Sequence, residues 1–196
     1  MPDTLTITQF LVIVALANSV LVLPMALLVR RDFKRIGRVS WPVAIWTGVA
    51  MHGHALIAFA VAWFDQGSLY PVAALSLLGG LGLTLIGAYI IYLGRKAYAN
   101  VARVYGLKED ELIERGIYRF SRNPQYFGYW LMFVGAALAT GSIWALALAG
   151  LFAVFMHPYI RFVEEPHLRR HFGEDYQHYC ERVARYFGQP RRIKAA

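Results

Sequence analysis

Four long blocks of this sequence carry no charged side chain, and that pattern constrains the fold more than any other feature. Thr6 to Val29 gives 24 uncharged residues, Val39 to Phe64 and Leu69 to Gly94 give one block each, and Pro124 to Ile160 gives 37. A helix of roughly 20 apolar residues crosses the hydrocarbon core of a bilayer, so each of the first three blocks reads as one span. The fourth is too long for a single span, and Gly141-Ser142 near its middle is a turn signal. It reads as a helical hairpin with arms at 124–140 and 143–160. The chain is therefore expected to be an all-α membrane protein with five transmembrane helices. Asp3, with no Lys or Arg before the first block, argues against a secretory signal peptide.

The charges test that count. Only 16% of residues are charged, yet the formal net charge is +8. On a water-soluble body such a balance would suggest a nucleic-acid partner. Here the basic residues alternate with apolar blocks, so a bilayer is the expected partner and no nucleic acid is. Five of the 20 Lys and Arg fall in 30–38, seven in 95–122 and eight in 161–196, which accounts for all of them. Five spans put these three segments on one face and leave the N-terminus, Asp65-Gln66-Gly67 and Gly141-Ser142 on the other. Four or six spans would divide them. The bias of basic loops toward the cytoplasm then predicts N-terminus out and C-terminus cytoplasmic, in the cell (inner) membrane. Residues 1–196 read as one integral-membrane domain, with three spans in 1–94 and the catalytic half in 95–196. One cysteine, Cys180, excludes a disulfide framework and a multi-cysteine zinc site, and no metal is expected.

Two segments outside the spans are long enough to hold chemistry, 95–126 and 161–196. In the first, Lys108 to Arg115 is a mixed-charge run ending at Gly116, which reads as a short helix and its C-cap. In the second, a helix is expected from about Glu165 to Phe187, interrupted near Gly173. Tyr176, Tyr179, Val183 and Tyr186 give it an amphipathic aromatic face suited to the bilayer or to the bundle. Arg161 and Glu165 are i and i+4, which fits an ion pair closing the last span. The adjacent carboxylates Glu164 and Glu165 also suit a cationic ligand. Arg122-Asn123-Pro124-Gln125-Tyr126-Phe127-Gly128, read alone, is an ordinary helix start with Pro124 in the first turn and Tyr126 as an interfacial anchor. His52 and His54 are ionisable groups at membrane depth, but at i and i+2 they lie about 200° apart on a helix and cannot clamp one metal. His157-Pro158 reads as a kink. Gly80, Thr84 and Ala88 form a small-residue ridge for close helix packing.

Taken together, Gly116-Ile117-Tyr118, the Arg122–Gly128 string, the hairpin, Arg161-x-x-Glu164-Glu165 and Phe172-Gly173-Glu174-x-Tyr176-x-x-Tyr179 resemble one known family. It is the integral-membrane methyltransferase family that includes isoprenylcysteine carboxyl methyltransferases and phospholipid N-methyltransferases. The resemblance covers about residues 100–188. It implies that S-adenosyl-L-methionine binds at the cytoplasmic face, with Leu112, Ile113, Tyr118, Asn123, Tyr126 and Glu165 as its contacts and Glu165 on its ammonium. By the same resemblance Arg161 meets the substrate. Asn123 stands where the carboxyl methyltransferase branch has His. The Asn-Pro-x-Tyr string and Glu164-Glu165-Pro166 resemble the phospholipid branch instead, and Gly80-Leu81-Gly82 looks like the cofactor-contacting glycines of that phospholipid branch. Arg161 pulls the other way, since a fixed cation suits a carboxylate acceptor, or equally a lipid phosphate.

The implied activity is methyl transfer to an amphiphilic or lipid-like acceptor, by O-methylation of a carboxylate or N-methylation of a phospholipid amine. A carboxylate needs no base. An amine must shed a proton, and Glu164 is then the expected base. Two rivals remain open on the sequence: an NADPH-dependent membrane reductase of the sterol reductase type, with a similar Pro-x-Tyr-x-Gly hairpin, and a non-catalytic membrane scaffold.

Overall fold

The computed structural model describes residues 4–188; the expected outer N-terminus and the last basic residues, Arg191, Arg192 and Lys194, lie outside the described residues. Among the described residues all regular structure is helical. Helices α1 (Thr4–Arg35), α2 (Trp41–Phe64) and α3 (Ala74–Tyr98) follow the first three uncharged blocks, and the short α4 (Val101–Val104) comes next. A 3-10 turn (Gly116–Arg119) leads into α5 (Pro124–Thr140) and α6 (Ile143–Tyr159), which form the expected hairpin. Its turn is made by Gly141 at φ 61°, and by Ser142, whose side chain accepts from the Ala145 N–H to cap α6. Four helical runs, beginning at Ile7, Trp41, Ala74 and Ile143, are long and apolar enough to cross a membrane. Helix α5, with 17 residues, is shorter than these. The run from Ile143 continues to Arg182, but its uncharged part ends at Ile160, so Arg161, Glu164 and Glu165 lie beyond the apolar span.

Helix α3 packs chiefly on α5, and glycine makes that approach close. A Cβ at Gly87 would sit 2.6 Å from the Gly128 carbonyl oxygen, and one at Gly135 would meet the Thr84 backbone. The small-residue ridge therefore runs Gly80, Thr84, Gly87; Ala88 is exposed, because 3.6 residues per turn carries the stripe back by one position. Gly80 touches the Ala139 backbone near the far end of α3. This corrects the expectation that Gly80-Leu81-Gly82 faces a cofactor: Gly80 serves helix packing. The opposite face of α3 carries Leu75, Leu78 and Leu85, all largely exposed, an apolar surface that hydrocarbon would cover.

Hydrogen bonds tie the loops into two groups. At one end, the Gly67 N–H donates to Thr140 O, the Leu69 N–H to Gly141 O, and Ser142 Oγ to Asp65 Oδ2, so the α2–α3 and α5–α6 turns are joined. At the other end, the Val39 N–H donates to Gly106 O, and the Arg122 N–H to Ala184 O. Arg38 also donates to Leu107 O. The three basic segments thus meet at one end of the bundle.

Two expected helices differ. Residues 108–115 form an irregular segment and no helix. Their charges are drawn to other segments: Asp110 binds Arg103, Glu114 binds Arg182, and Glu109 binds His167. A helix this short has little stability to set against such contacts. Gly116, at φ 61°, starts the 3-10 turn and caps no helix. The C-terminal helix, α7 (Glu165–Arg182), stops short of Phe187, and Gly173 breaks it at φ 55°, ψ −125°. Tyr176, Tyr179 and Val183 are buried against the protein, with the Tyr179 hydroxyl donating to Tyr118 O at 2.7 Å. The aromatic face thus belongs to the bundle.

Between α6 and α7 the backbone widens into a π turn, Ile160–Glu164, in which the Glu165 N–H donates to Ile160 O five residues back. Pro166 explains it: with no N–H, it cannot make the ordinary bond to the Phe162 carbonyl. A wider turn sets consecutive side chains at a smaller angle, and both Glu164 and Glu165 line the same cavity.

Candidate active site

The cavity, about 200 Å³, lies at the basic end among α2, α3, α5, the 105–123 segment and α7. The start of α5 positions Asn123 and Tyr126, the 3-10 turn holds Tyr118, and the irregular 108–115 segment supplies Leu112 and Ile113. With Glu164 and Glu165 these bring seven of the eight expected site residues, all but Arg161, into the cavity lining. Arg161 is exposed and lies over the Phe162 ring, outside the lining.

The expected Arg161–Glu165 pair does not form, because Glu165 has nearer partners. Its carboxylate is 4% exposed and receives Arg185 in bidentate fashion, Nε to Oε1 at 2.7 Å and Nη2 to Oε2 at 3.0 Å. Arg122 Nη1 stands 3.1 Å from the same Oε1. Burial alone would raise the Glu165 carboxyl, but the Arg185 hydrogen bonds and the Arg122 charge outweigh it and hold the group below its ordinary value. Glu165 is thus already matched by two guanidiniums. Asn123 does not cap α5 with its side chain; its Nδ2 donates to Arg185 O at 3.0 Å and so helps hold the same clamp.

Glu164 is different. Its Oε1 accepts from the Tyr126 hydroxyl at 2.5 Å, and no Lys or Arg pairs with it among the described residues. Burial, reinforced by the carboxylates of Glu109 and Glu165, outweighs the hydrogen bonds from Tyr126 and Tyr159 and pushes its carboxyl up to about 7. It can therefore exchange a proton near neutrality.

Several groups in or near the cavity carried no expected role in the site. Arg122 appeared only as part of a string, yet its Nε is buried without a partner. Arg185 lies in a tail with no pattern to mark it. Arg95, near the end of α3, donates to the Tyr129 hydroxyl at 3.2 Å. His52 lines the cavity and bonds Tyr105 at 3.3 Å, whereas His54 is buried between Phe133 and Phe152. The two histidines face apart, as their spacing requires. His157 bonds Tyr186 at 2.8 Å. Glu109, His167 and His171 bring ligand-type atoms within 4.8 Å of one another, but hydrogen bonds account for them: His167 meets the Glu109 carboxylate and His171 its backbone carbonyl.

A family model described as phospholipid methyltransferase matches residues 75–175, more than half of the chain. Phosphatidylethanolamine N-methyltransferase of Schizosaccharomyces japonicus is 38% identical over 101 residues, 47% of this chain and 11% of that protein. Protein-S-isoprenylcysteine O-methyltransferase B of Arabidopsis thaliana is 30% identical over 104 residues, 53% of this chain and 52% of that protein. The chain thus spans about a tenth of the length of the fungal relatives and about half that of the plant ones. No solved structure matches it.

Proposed function

Because the chain belongs to the phospholipid methyltransferase family, we propose that it transfers a methyl group from S-adenosyl-L-methionine to a lipid amine at the cytoplasmic face of a membrane. Five spans, with α5 as the fourth, and a cytoplasmic basic end complete the reading. The observation that carries it is Glu164: a cavity carboxylate, bonded to Tyr126 and pushed up to about 7.

The donor set suits the cofactor. Arg122 offers a buried, unpartnered Nε to an α-carboxylate, while Glu165, Tyr176 and Cys180 hold its Nη1. Leu112, Ile113 and Tyr118 give an apolar and aromatic wall for an adenine ring. The cofactor supplies a methyl group on a positively charged sulfur.

An ammonium headgroup has no lone pair to offer, so the first duty of the protein is deprotonation. Glu164 Oε1 takes that proton, and the Tyr126 hydroxyl keeps the carboxylate aimed at the cavity. The aromatic wall then excludes water and holds the nitrogen in line, and orientation supplies much of the acceleration. The likeness to the plant enzyme favours a second reading, a carboxylate acceptor. That acceptor needs no base, so its rate would be insensitive to Glu164.

The test is calorimetric binding of S-adenosylhomocysteine to the purified chain, followed by mass spectrometry of membrane lipids after reaction with a heavy-methyl donor. Micromolar binding and labelled lipid amine are expected. No binding, or NADPH binding instead, overturns the reading.

A further inference from the structure

Four basic side chains line the cavity: Arg95, Arg103, Lys108 and Arg122. Three are already neutralised. Arg103 pairs with Asp110 and Glu111, Lys108 with Asp110, and Arg122 with Glu165. Arg95 has no carboxylate within 4.0 Å among the described residues; its one side-chain hydrogen bond there runs to the Tyr129 hydroxyl. Arg95 is an exposed residue that lines the cavity, so it offers an incoming anion a cation with no counter-charge to displace.

Its position says which anion. Tyr126 and Tyr129 are i and i+3 on α5, so they share a face, one above the other. Tyr126 holds Glu164, and Tyr129 holds Arg95. The two tyrosines are thus about 4.5 Å apart along the helix axis, and one holds a proton acceptor while the other holds a cation. An acceptor and a cation held from neighbouring turns of one helix suit the nitrogen and the phosphodiester of an ethanolamine headgroup, which only two carbons separate. The surroundings allow a lipid to reach it. Helix α3 packs on α5 and α2 packs on α1, α5 and α6, but α2 and α3 have no substantial packing with each other. Gly48, Met51 and His52 of α2 line the cavity, as Arg95 of α3 does, so the loosely packed side between α2 and α3 is the route by which a lipid would reach the site.

We propose that Arg95, steadied by Tyr129, is the subsite for the phosphodiester of the acceptor lipid, set one helical turn from the Glu164–Tyr126 pair that receives its nitrogen. The assignment rests on the lipid-amine reading for the nitrogen, but the anion subsite stands on Arg95 itself. It also gives the acceptor's anion a place inside the cavity, where Arg161 does not reach.

The test compares the parent chain with Arg95→Gln and Arg95→Lys on two acceptors in mixed micelles, phosphatidylethanolamine and a long-chain alkylamine that has no phosphate. For Arg95→Gln, the ratio of kcat/KM for phosphatidylethanolamine over alkylamine is expected to fall about ten-fold, carried by KM, with Arg95→Lys in between. In parallel, binding of a short-chain phosphatidylcholine, which keeps the phosphodiester and has no proton to lose, is measured on the same proteins. Its Kd is expected to rise about ten-fold in Arg95→Gln. An unchanged ratio with an unchanged Kd overturns the subsite. If the parent chain methylates neither amine while phosphatidylcholine binding still depends on Arg95, the lipid-amine reading falls and the phosphodiester subsite stands.

Discussion

The two ends of the bundle use polar groups in opposite ways. At the turn end, Asp65 Oδ2 receives Ser142 Oγ at 2.6 Å, Ser68 Oγ at 2.7 Å and the Trp144 N–H at 3.2 Å. The Tyr70 hydroxyl closes on Leu138 O. At the basic end the connections are long, a cavity opens, one buried guanidinium nitrogen has no partner and Arg95 has no counter-charge. Fully paired polar groups fasten the fold, while incompletely paired ones are a cost that a ligand can relieve. The difference marks where stability and chemistry reside.

The largest effect should come from breaking the basic end. Glu164→Gln keeps the size and a hydrogen-bond acceptor for Tyr126 but removes the base, so kcat should fall by about 10² or more. S-adenosylhomocysteine affinity should change little by comparison. The pH dependence has a definite sign. Above about 7 the carboxylate form predominates and can accept a proton, so kcat/KM should climb toward pH 7 from below and then level. Glu164→Gln should flatten that limb. The folded carboxyl lies above its usual value, so Glu164 lowers stability as pH rises from the ordinary carboxylate range to about 7. Glu164→Gln should therefore melt higher than the parent at pH 8. A melting temperature lowered at pH 8 would show that the carboxylate contributes to packing instead.

The α3–α5 seam supports both ends, and it is the next place to cut. Gly87→Val pushes a branched side chain into the Gly128 carbonyl and the Met132 backbone. Overpacking of this kind costs about 1–3 kcal/mol, visible as a lower melting temperature in detergent. Gly82 faces open space, so Gly82→Ala is the control that should melt near the parent. Because alanine and valine both favour a helix over glycine, equal losses at Gly82 and Gly87 would mean that close approach to α5 does not decide the seam.

At the turn end, Asp65→Asn keeps the volume but turns a charged acceptor into a neutral one shared by three donors. It should cost about 1 kcal/mol and lower the melting temperature slightly. S-adenosylhomocysteine affinity should be unaffected, since Asp65 is at the end of the bundle remote from the cavity. A weakened affinity would show that the two ends are coupled through α5.

The fold was legible because its main signals are local. Uncharged runs, the Gly141-Ser142 turn and the sorting of basic residues each depend on a few neighbouring positions, and the helices follow them closely. The site was legible where a string is continuous, as in Asn123-Pro124-Gln125-Tyr126. It was not where partners come from distant segments. Nothing near Glu165 in the sequence announces Arg185, twenty residues on, and nothing near Lys108–Arg115 announces that Glu109 and Glu114 will be claimed by α7. Spacing suggested Arg161 as an i,i+4 partner for Glu165, and Arg122 and Arg185 took its place. The π turn was hidden for a related reason: Pro158 was the visible kink signal, whereas Pro166 is the residue that cannot donate to Phe162.

Arg161 gives the smallest expected effect and the sharpest check on reading a site by position. It is exposed, it touches the Phe162 ring at 5.5 Å, and Glu165 is taken by Arg185 and Arg122. Exposed charges of this kind contribute little, so Arg161→Ala should keep kcat/KM for phosphatidylethanolamine within about two-fold, with no change in the pH profile. Arg122→Ala should behave oppositely. It strips one of two cations from a buried carboxylate, which costs far more than losing an exposed charge, and it removes the unpartnered Nε from the cavity. S-adenosylhomocysteine affinity should then fall at least ten-fold. If Arg161→Ala instead caused the larger loss, the cationic contact would lie on the outer side of the π turn, and the cavity wall bearing Arg95 and Arg122 would cease to be the place where the acceptor and the methyl donor meet.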